Sequence, residues 1–139
     1  QDELVDLNVD ALRKTFAYIA ESGKKVIFLY DVPKMPFNVR SCLPRSGKGV
    51  DWDPSGCVTD RSSVESERYN LKSALDELFV KMPDLVVLDL MDGICNDEFC
   101  FASTEDRLLY LDDNHLSIYG SRYVVNKQKL NFEHALKSD

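Results

Sequence analysis

The chain has 139 residues, a net charge of −7 and 44% hydrophobic residues, enough for one domain with a real core. No run approaches bilayer-spanning length, the start "QDELVDLNVD" is not a signal peptide, and the only basic clusters are "RSGK" and "GKK". These features argue against a membrane-spanning segment within this chain and against nucleic acid as a partner.

Val5, Val9, Leu12, Phe16 and Ile19 recur at spacings of four and three, which predicts a helix over 3–22. The chain starts abruptly inside this helix, so it is expected to begin in the middle of a larger protein. Gly23 is the expected stop. Val26 to Tyr30 then read as a strand buried on both faces, ended by Pro33 and Pro36. A long loop over 37–61 follows, of the kind that is usually functional or pinned. It contains Trp52, which suits a small local core or a substrate-facing stack.

Ser62 and Glu65 suggest a capping box before a helix carrying Val64, Leu71, Leu75, Leu78 and Phe79. "DLVVLDL" at 84–90 reads as a second buried strand, with "FCFAS" and "RLLYLD" as shorter ones. A last helix is expected from about Leu116 toward Leu136. This alternation predicts an α/β layered fold with a parallel sheet. Only two long strands are visible, too few for a complete doubly wound domain.

Cys42, Cys57, Cys95 and Cys100 allow two disulfides in three connectivities, with zinc or free thiols as rivals. The local pairing Cys42–Cys57 and Cys95–Cys100 closes two loops rich in turn residues. Disulfides imply an oxidising compartment. No cofactor or metal is expected.

Asp112 lies three residues before His115 in "LYLDDNHLSIYGSRYV". At that separation a carboxylate can accept the Nδ1–H of the imidazole, fix its tautomer and stabilise the imidazolium. From spacing alone, a surface Asp and His near a helix N-terminus is the favoured reading. Asp113 is expected to diverge from the ring, and Ser117 to cap or pack at a helix start. Asp31 and Asp92 end the two long strands, where sites form but turn-making aspartates are also ordinary. His134 is expected to be exposed.

"DDNHLSIYGSRYV" resembles the last conserved block of the SGNH/GDSL hydrolase superfamily, through Asp112, His115, Leu116, Ser117 and Gly120. "VIFLYDVPKMPFNVRSCLPR" is similar to the strand, proline loop and cysteine of SGNH domains fused behind acyltransferase-3 membrane domains. The layout of "PDLVVLDLMDGIC", "FC" and "LLYLDDNHLS" extends that similarity over nearly the whole chain. The resemblance implies a three-layer α/β/α, flavodoxin-like fold with a parallel sheet. It implies a domain at the periplasmic side of the bacterial inner membrane, partnered by an upstream membrane acyltransferase domain. The implied activity is O-acyl transfer, often of acetyl, from an acyl donor to a cell-surface polysaccharide. The implied mechanism is Ser-His-Asp, with His115 as base, Asp112 as its orienter, and an oxyanion hole completed by a Gly and an Asn.

The family's Gly-Asp-Ser nucleophile block, its glycine block and its G-x-N-D block are absent. Ser46 and Ser55 lie in the cysteine loop and do not replace the missing serine. The chain is therefore expected to be the C-terminal portion of one SGNH-type domain over 1–139, lacking its first strands. A secreted esterase and a non-catalytic, disulfide-pinned interaction module are the alternatives. Without the first strands, Val26 to Tyr30 would form an open edge, expected to pair in a homodimer or with the missing N-terminal segment. The chain by itself is expected to turn over p-nitrophenyl acetate no faster than its His115→Ala variant. Turnover abolished by that substitution would require a nucleophile within these residues.

Overall fold

The computed structural model describes residues 2–42 and 56–137, with side chains from residue 8 onward. Trp52, Ser46 and Ser55 lie outside the described residues. The chain divides into two compact units, residues 1–29 with 65–88 and residues 30–64 with 89–139.

The first unit is built on apolar stripes at helical spacing. Helix α1 spans Asp2–Glu21 and buries Phe16. It stops where Gly23 adopts φ +71°, a left-handed conformation that costs glycine no Cβ clash. Strand β1, Ile27–Tyr30, places Phe28 beside the Phe16 ring, with centroids 5.9 Å apart. Helix α2 spans Arg61–Phe79 and adds Phe79, 4.9 Å from Phe28 and 6.4 Å from Phe16. Three rings in mutual contact give this unit its centre, supported by buried Leu75 and Leu78. Strand β3, Val86–Asp89, pairs with β1 in a two-stranded parallel sheet.

Several details depart from the sequence reading. Leu29 is 43% exposed and Leu71 51% exposed, so neither β1 nor the α2 stripe is fully covered. Helix α2 begins at Arg61, which puts Ser62 inside the first turn instead of at the cap. The backbone explains this: the Arg61 N–H donates to the Glu98 carbonyl at 2.8 Å, so strand-type bonding persists to the helix's first residue.

The second unit is organised by two disulfides and a short ladder. Strand β2, Val58–Asp60, runs antiparallel to β4, Phe99–Phe101. Cys42 is bonded to Cys57, just before β2, and Cys95 to Cys100, within β4. Cys100 is completely buried and Cys57 nearly so. They join Val39, Met91, Ile94, Leu109, Tyr110 and Val124 in one apolar cluster. "RLLYLD" forms no continuous strand. Turn-rich sequence on both sides limits its pairing to isolated bridges, Ser103 with Leu108 and Tyr110 with Leu116.

The last helical segment is two helices, α3 (Ile118–Lys127) and α4 (Lys129–Lys137). The break is at Gln128, whose buried side-chain amide donates to the Asp89 carbonyl at 2.7 Å. Its backbone leaves helical geometry there, at φ −104° and ψ 18°. Gly120 is the tightest point of α3, because a Cβ there would collide with the Leu109 carbonyl oxygen. Gly120→Ala is expected to cost about 3 kcal/mol through this backbone clash. A denaturant midpoint unchanged from the parent would show that α3 shifts to accommodate the methyl group.

Candidate active site

The site is a seven-residue loop between Tyr110 and Ile118, held at both ends. At its entry the buried Tyr110 donates its hydroxyl to the Pro33 carbonyl at 2.8 Å. At its exit Ser117 caps α3, its Oγ accepting from the Gly120 N–H at 2.9 Å and donating to the Leu108 carbonyl at 3.1 Å. The Leu111 N–H donates to the His115 carbonyl at 2.7 Å and closes the loop across its base. From outside, the Met35 N–H donates to the Asp113 carbonyl at 2.7 Å. The proline segment thus serves as a backstop for the loop.

Within this frame the Asp112 carboxylate is the hub. Its Oδ1 accepts from the backbone N–H groups of Asn114 (3.0 Å) and His115 (2.7 Å). Its Oδ2 lies 2.9 Å from His115 Nδ1. An ionised carboxylate can only accept, so this contact assigns the proton to Nδ1 and leaves the Nε2 lone pair available. Among the described residues Nε2 has no partner, and the ring is 70% exposed. The Asn114 amide, with its nitrogen facing the carboxylates, donates to Asp112 Oδ1 at 3.1 Å and to Asp113 Oδ1 at 3.3 Å. That nitrogen also lies 3.0 Å from His115 Nδ1, but a donor can bond there only in the opposite tautomer.

The hydrogen bonds from the Asn114 and His115 backbones, then the His115 ring, hold the Asp112 carboxyl down to about pKa 2. Asp112 is therefore an anion throughout the neutral range. The pair is an oriented base: a fixed carboxylate, a defined tautomer and an open nitrogen.

The structure thus brings Asp112 and His115 together and sends Asp113 elsewhere, its side chain 3.7 Å from Lys34 Nζ. The Asp31 carboxylate accepts from the Val32 N–H at 2.8 Å, and Asp92 lies 3.5 Å from Arg61, so both act locally. His134 is exposed on α4. Among the described residues no group of three or more His, Cys, Asp and Glu side chains could hold a metal ion. The backstop from Met35 escaped the sequence reading, because a main-chain bond between residues 78 positions apart leaves no pattern in either segment.

The loop thus presents a carboxylate-oriented imidazole, with Nε2 open, immediately before a capped helix. The family model described as "SGNH domain (fused to AT3 domains)" matches residues 1–127, and the chain belongs to that family. Among solved structures it is similar to the lipopolysaccharide acetyltransferase periplasmic domain of Salmonella ser. Paratyphi A, with a TM-score of 0.65 and 19% identity. That similarity covers 93% of this chain and 50% of the other, so the chain spans about half the neighbour's length. At this identity the likeness establishes the fold. A comparison with curated proteins gave no match.

The Asp112 environment is open to direct measurement. Its carboxyl carbon is expected to titrate near pH 2, below the ordinary 3.8. The folded value lies below the unfolded one, so the loop's stabilisation by this charge is full above about pH 4 and is lost as pH falls toward 2. In His115→Ala the value should rise only part of the way, because the two backbone donors remain. A carboxyl that titrates at the ordinary value in the parent chain would contradict the hydrogen bonds described.

Proposed function

We propose that this chain supplies the His–Asp portion of a Ser-His-Asp acyltransferase site, with Asp112 as orienter and His115 as general base and acid. The nucleophilic serine would come from a part of the domain outside these residues, the 1–139 segment being its C-terminal portion. The observation that carries this reading is the 2.9 Å contact between Asp112 Oδ2 and His115 Nδ1, made by a carboxylate that stays ionised. Family membership supports it, since SGNH domains of this kind are fused to AT3 domains.

In the proposed reaction the serine Oγ attacks the acyl carbonyl while His115 Nε2 takes the Oγ proton. Collapse of the tetrahedral intermediate expels the donor's leaving group, which receives that proton from His115. An acceptor hydroxyl then attacks the acyl-serine, again delivering its proton to Nε2, and the ester forms as serine leaves and is reprotonated. Asp112 stabilises the imidazolium at each stage and does not itself take the proton.

We place the reaction at the periplasmic side of the membrane, where an attached AT3 domain delivers the acyl group. The acceptor is a cell-surface polysaccharide, in keeping with the lipopolysaccharide acetyltransferase whose fold this chain shares. Among the described residues no helix is long and apolar enough to cross a membrane. A secreted esterase would use the same pair with water as the acceptor. The family's fusion to AT3 domains favours transfer.

In the full-length protein, His115→Ala and Asp112→Asn are each expected to lower transfer by roughly 10⁴-fold with circular dichroism unchanged. Asp113→Asn should change it only a few-fold, because its exposed contact with Lys34 is a weak surface pair. Severe loss in Asp113→Asn beside an active Asp112→Asn would reverse the two roles.

A further inference from the structure

Helix α3 carries a second feature that the His–Asp pair does not use. Tyr119, Arg122, Tyr123, Asn126 and Lys127 line an open groove of about 450 Å³. Their spacings of three and four place all five on one helix face. The two tyrosine rings lie 6.3 Å apart at an interplanar angle of 38°. Both pack partly against the apolar cluster and are half-buried, so one side of each ring is supported by the core. The Tyr119 hydroxyl lies 3.3 Å from Thr104 Oγ1, a contact that ties the ring's end to a second segment.

Cations accompany both rings. The Arg107 guanidinium lies 5.2 Å from the Tyr119 centroid and Lys127 Nζ 5.5 Å from the Tyr123 centroid, both within cation–π range. Arg122 adds a third positive group. Arg107 is partly offset by Asp106 at 3.4 Å. Among the described residues, neither Arg122 nor Lys127 has a carboxylate partner. A chain of net charge −7 thus presents a local positive, aromatic strip.

We propose that this groove binds a short anionic segment of the acceptor glycan, one bearing carboxylate or phosphate groups. The proposal rests on the transferase reading above and names the acceptor's chemistry. A sugar ring presents C–H groups of slight positive character, which suit the negative face of a tyrosine. The Arg122 guanidinium can hold a carboxylate or phosphate through two hydrogen bonds, and Lys127 adds a point charge. Asn126 offers both a donor and an acceptor, as a sugar hydroxyl requires. The overall negative charge disfavours a dense polyanion such as nucleic acid, whereas a glycan with widely spaced charges meets only the local strip. The groove lies on the helix that the His115 loop leads into: Ser117, two residues after His115, caps α3, and the groove opens at Tyr119. Glycan held at the Tyr119 end would therefore sit on residues that follow closely in the chain on the loop that carries His115.

The test titrates the 139-residue chain with hexagalacturonate, maltohexaose, inorganic phosphate and a thymidine hexanucleotide, following the Tyr119 and Tyr123 ring signals by NMR. Hexagalacturonate is expected to bind in a salt-sensitive manner, to shift both rings, and to bind more tightly than the other three probes. Arg122→Glu combined with Lys127→Glu should weaken it by roughly tenfold or more, and Tyr123→Leu should also weaken it. These substitutions alter exposed charges or preserve apolar bulk, and circular dichroism verifies the fold. In the full-length protein the charge-reversal variant should raise KM for an acidic acceptor while leaving kcat nearly unchanged. Equal or tighter binding of the neutral hexamer, of phosphate or of the oligonucleotide would overturn the proposal, as would unaltered hexagalacturonate binding in the groove variants. His115→Ala should bind hexagalacturonate normally. If that variant keeps full transfer activity while the groove variants lose binding, the catalytic reading fails and the glycan site stands.

Discussion

The Leu109 carbonyl is the point on which the site depends. It accepts the Ser117 N–H at 2.8 Å and occupies the space where any side chain on Gly120 would sit. That close approach presses the first turn of α3 against the Leu108–Tyr110 segment. The residues between must then form a loop with closely spaced ends. Single backbone bonds carry the same constraint inward: Leu109 N–H donates to Ala102, and Ala102 N–H to Cys57. Cys57 is itself held by its disulfide to Cys42. A helix start that bears no catalytic group is thereby anchored to the most buried part of the unit.

Given that frame, the loop's electrostatics are local. Asp112 collects two backbone N–H groups, one imidazole N–H and the Asn114 amide, and these donors favour the charged form of a carboxylate that is already half exposed. Orientation of His115 therefore does not require a dry pocket. The backbone bonds fix the carboxylate, and the carboxylate fixes the ring. Nε2 is left exposed on the far side of the ring. Tyr110, through its side-chain hydroxyl, and Met35, through its backbone N–H, hold the loop against the proline segment.

Helix α3 joins two kinds of chemistry. Its capped N-terminus follows the Asp112–His115 pair, and its outward face carries rings and cations in a chain that is otherwise acidic. The break at Gln128 limits this face. The bond from its amide to Asp89 ends α3 just after Lys127, so the strip finishes with its last cation.

The sequence by itself determined the elements whose information is local. Apolar residues at spacings of three and four produced α1 and most of α2, and the unbroken apolar runs produced β1 and β3. Asp112 and His115 were legible because three residues of backbone suffice to bring a carboxylate under an imidazole. The neighbouring block, "HLSIYG", tied that pair to a family. Tertiary structure decided what depends on distant partners. Leu71 shares the α2 stripe yet stays half exposed, since periodicity marks a face without saying whether anything covers it. "RLLYLD" has strand composition but lacks an extended ladder partner among the described residues, so it makes only isolated bridges. The continuous helical pattern after Leu116 breaks because a carbonyl 39 residues earlier draws Gln128 inward. Arg107 joins the tyrosines of α3 only through the fold, and no scan for contiguous basic runs could assemble that strip. Hydrogen bonds and close contacts between remote segments carry no periodic signature, and they set the positions of the groups that the local patterns had supplied.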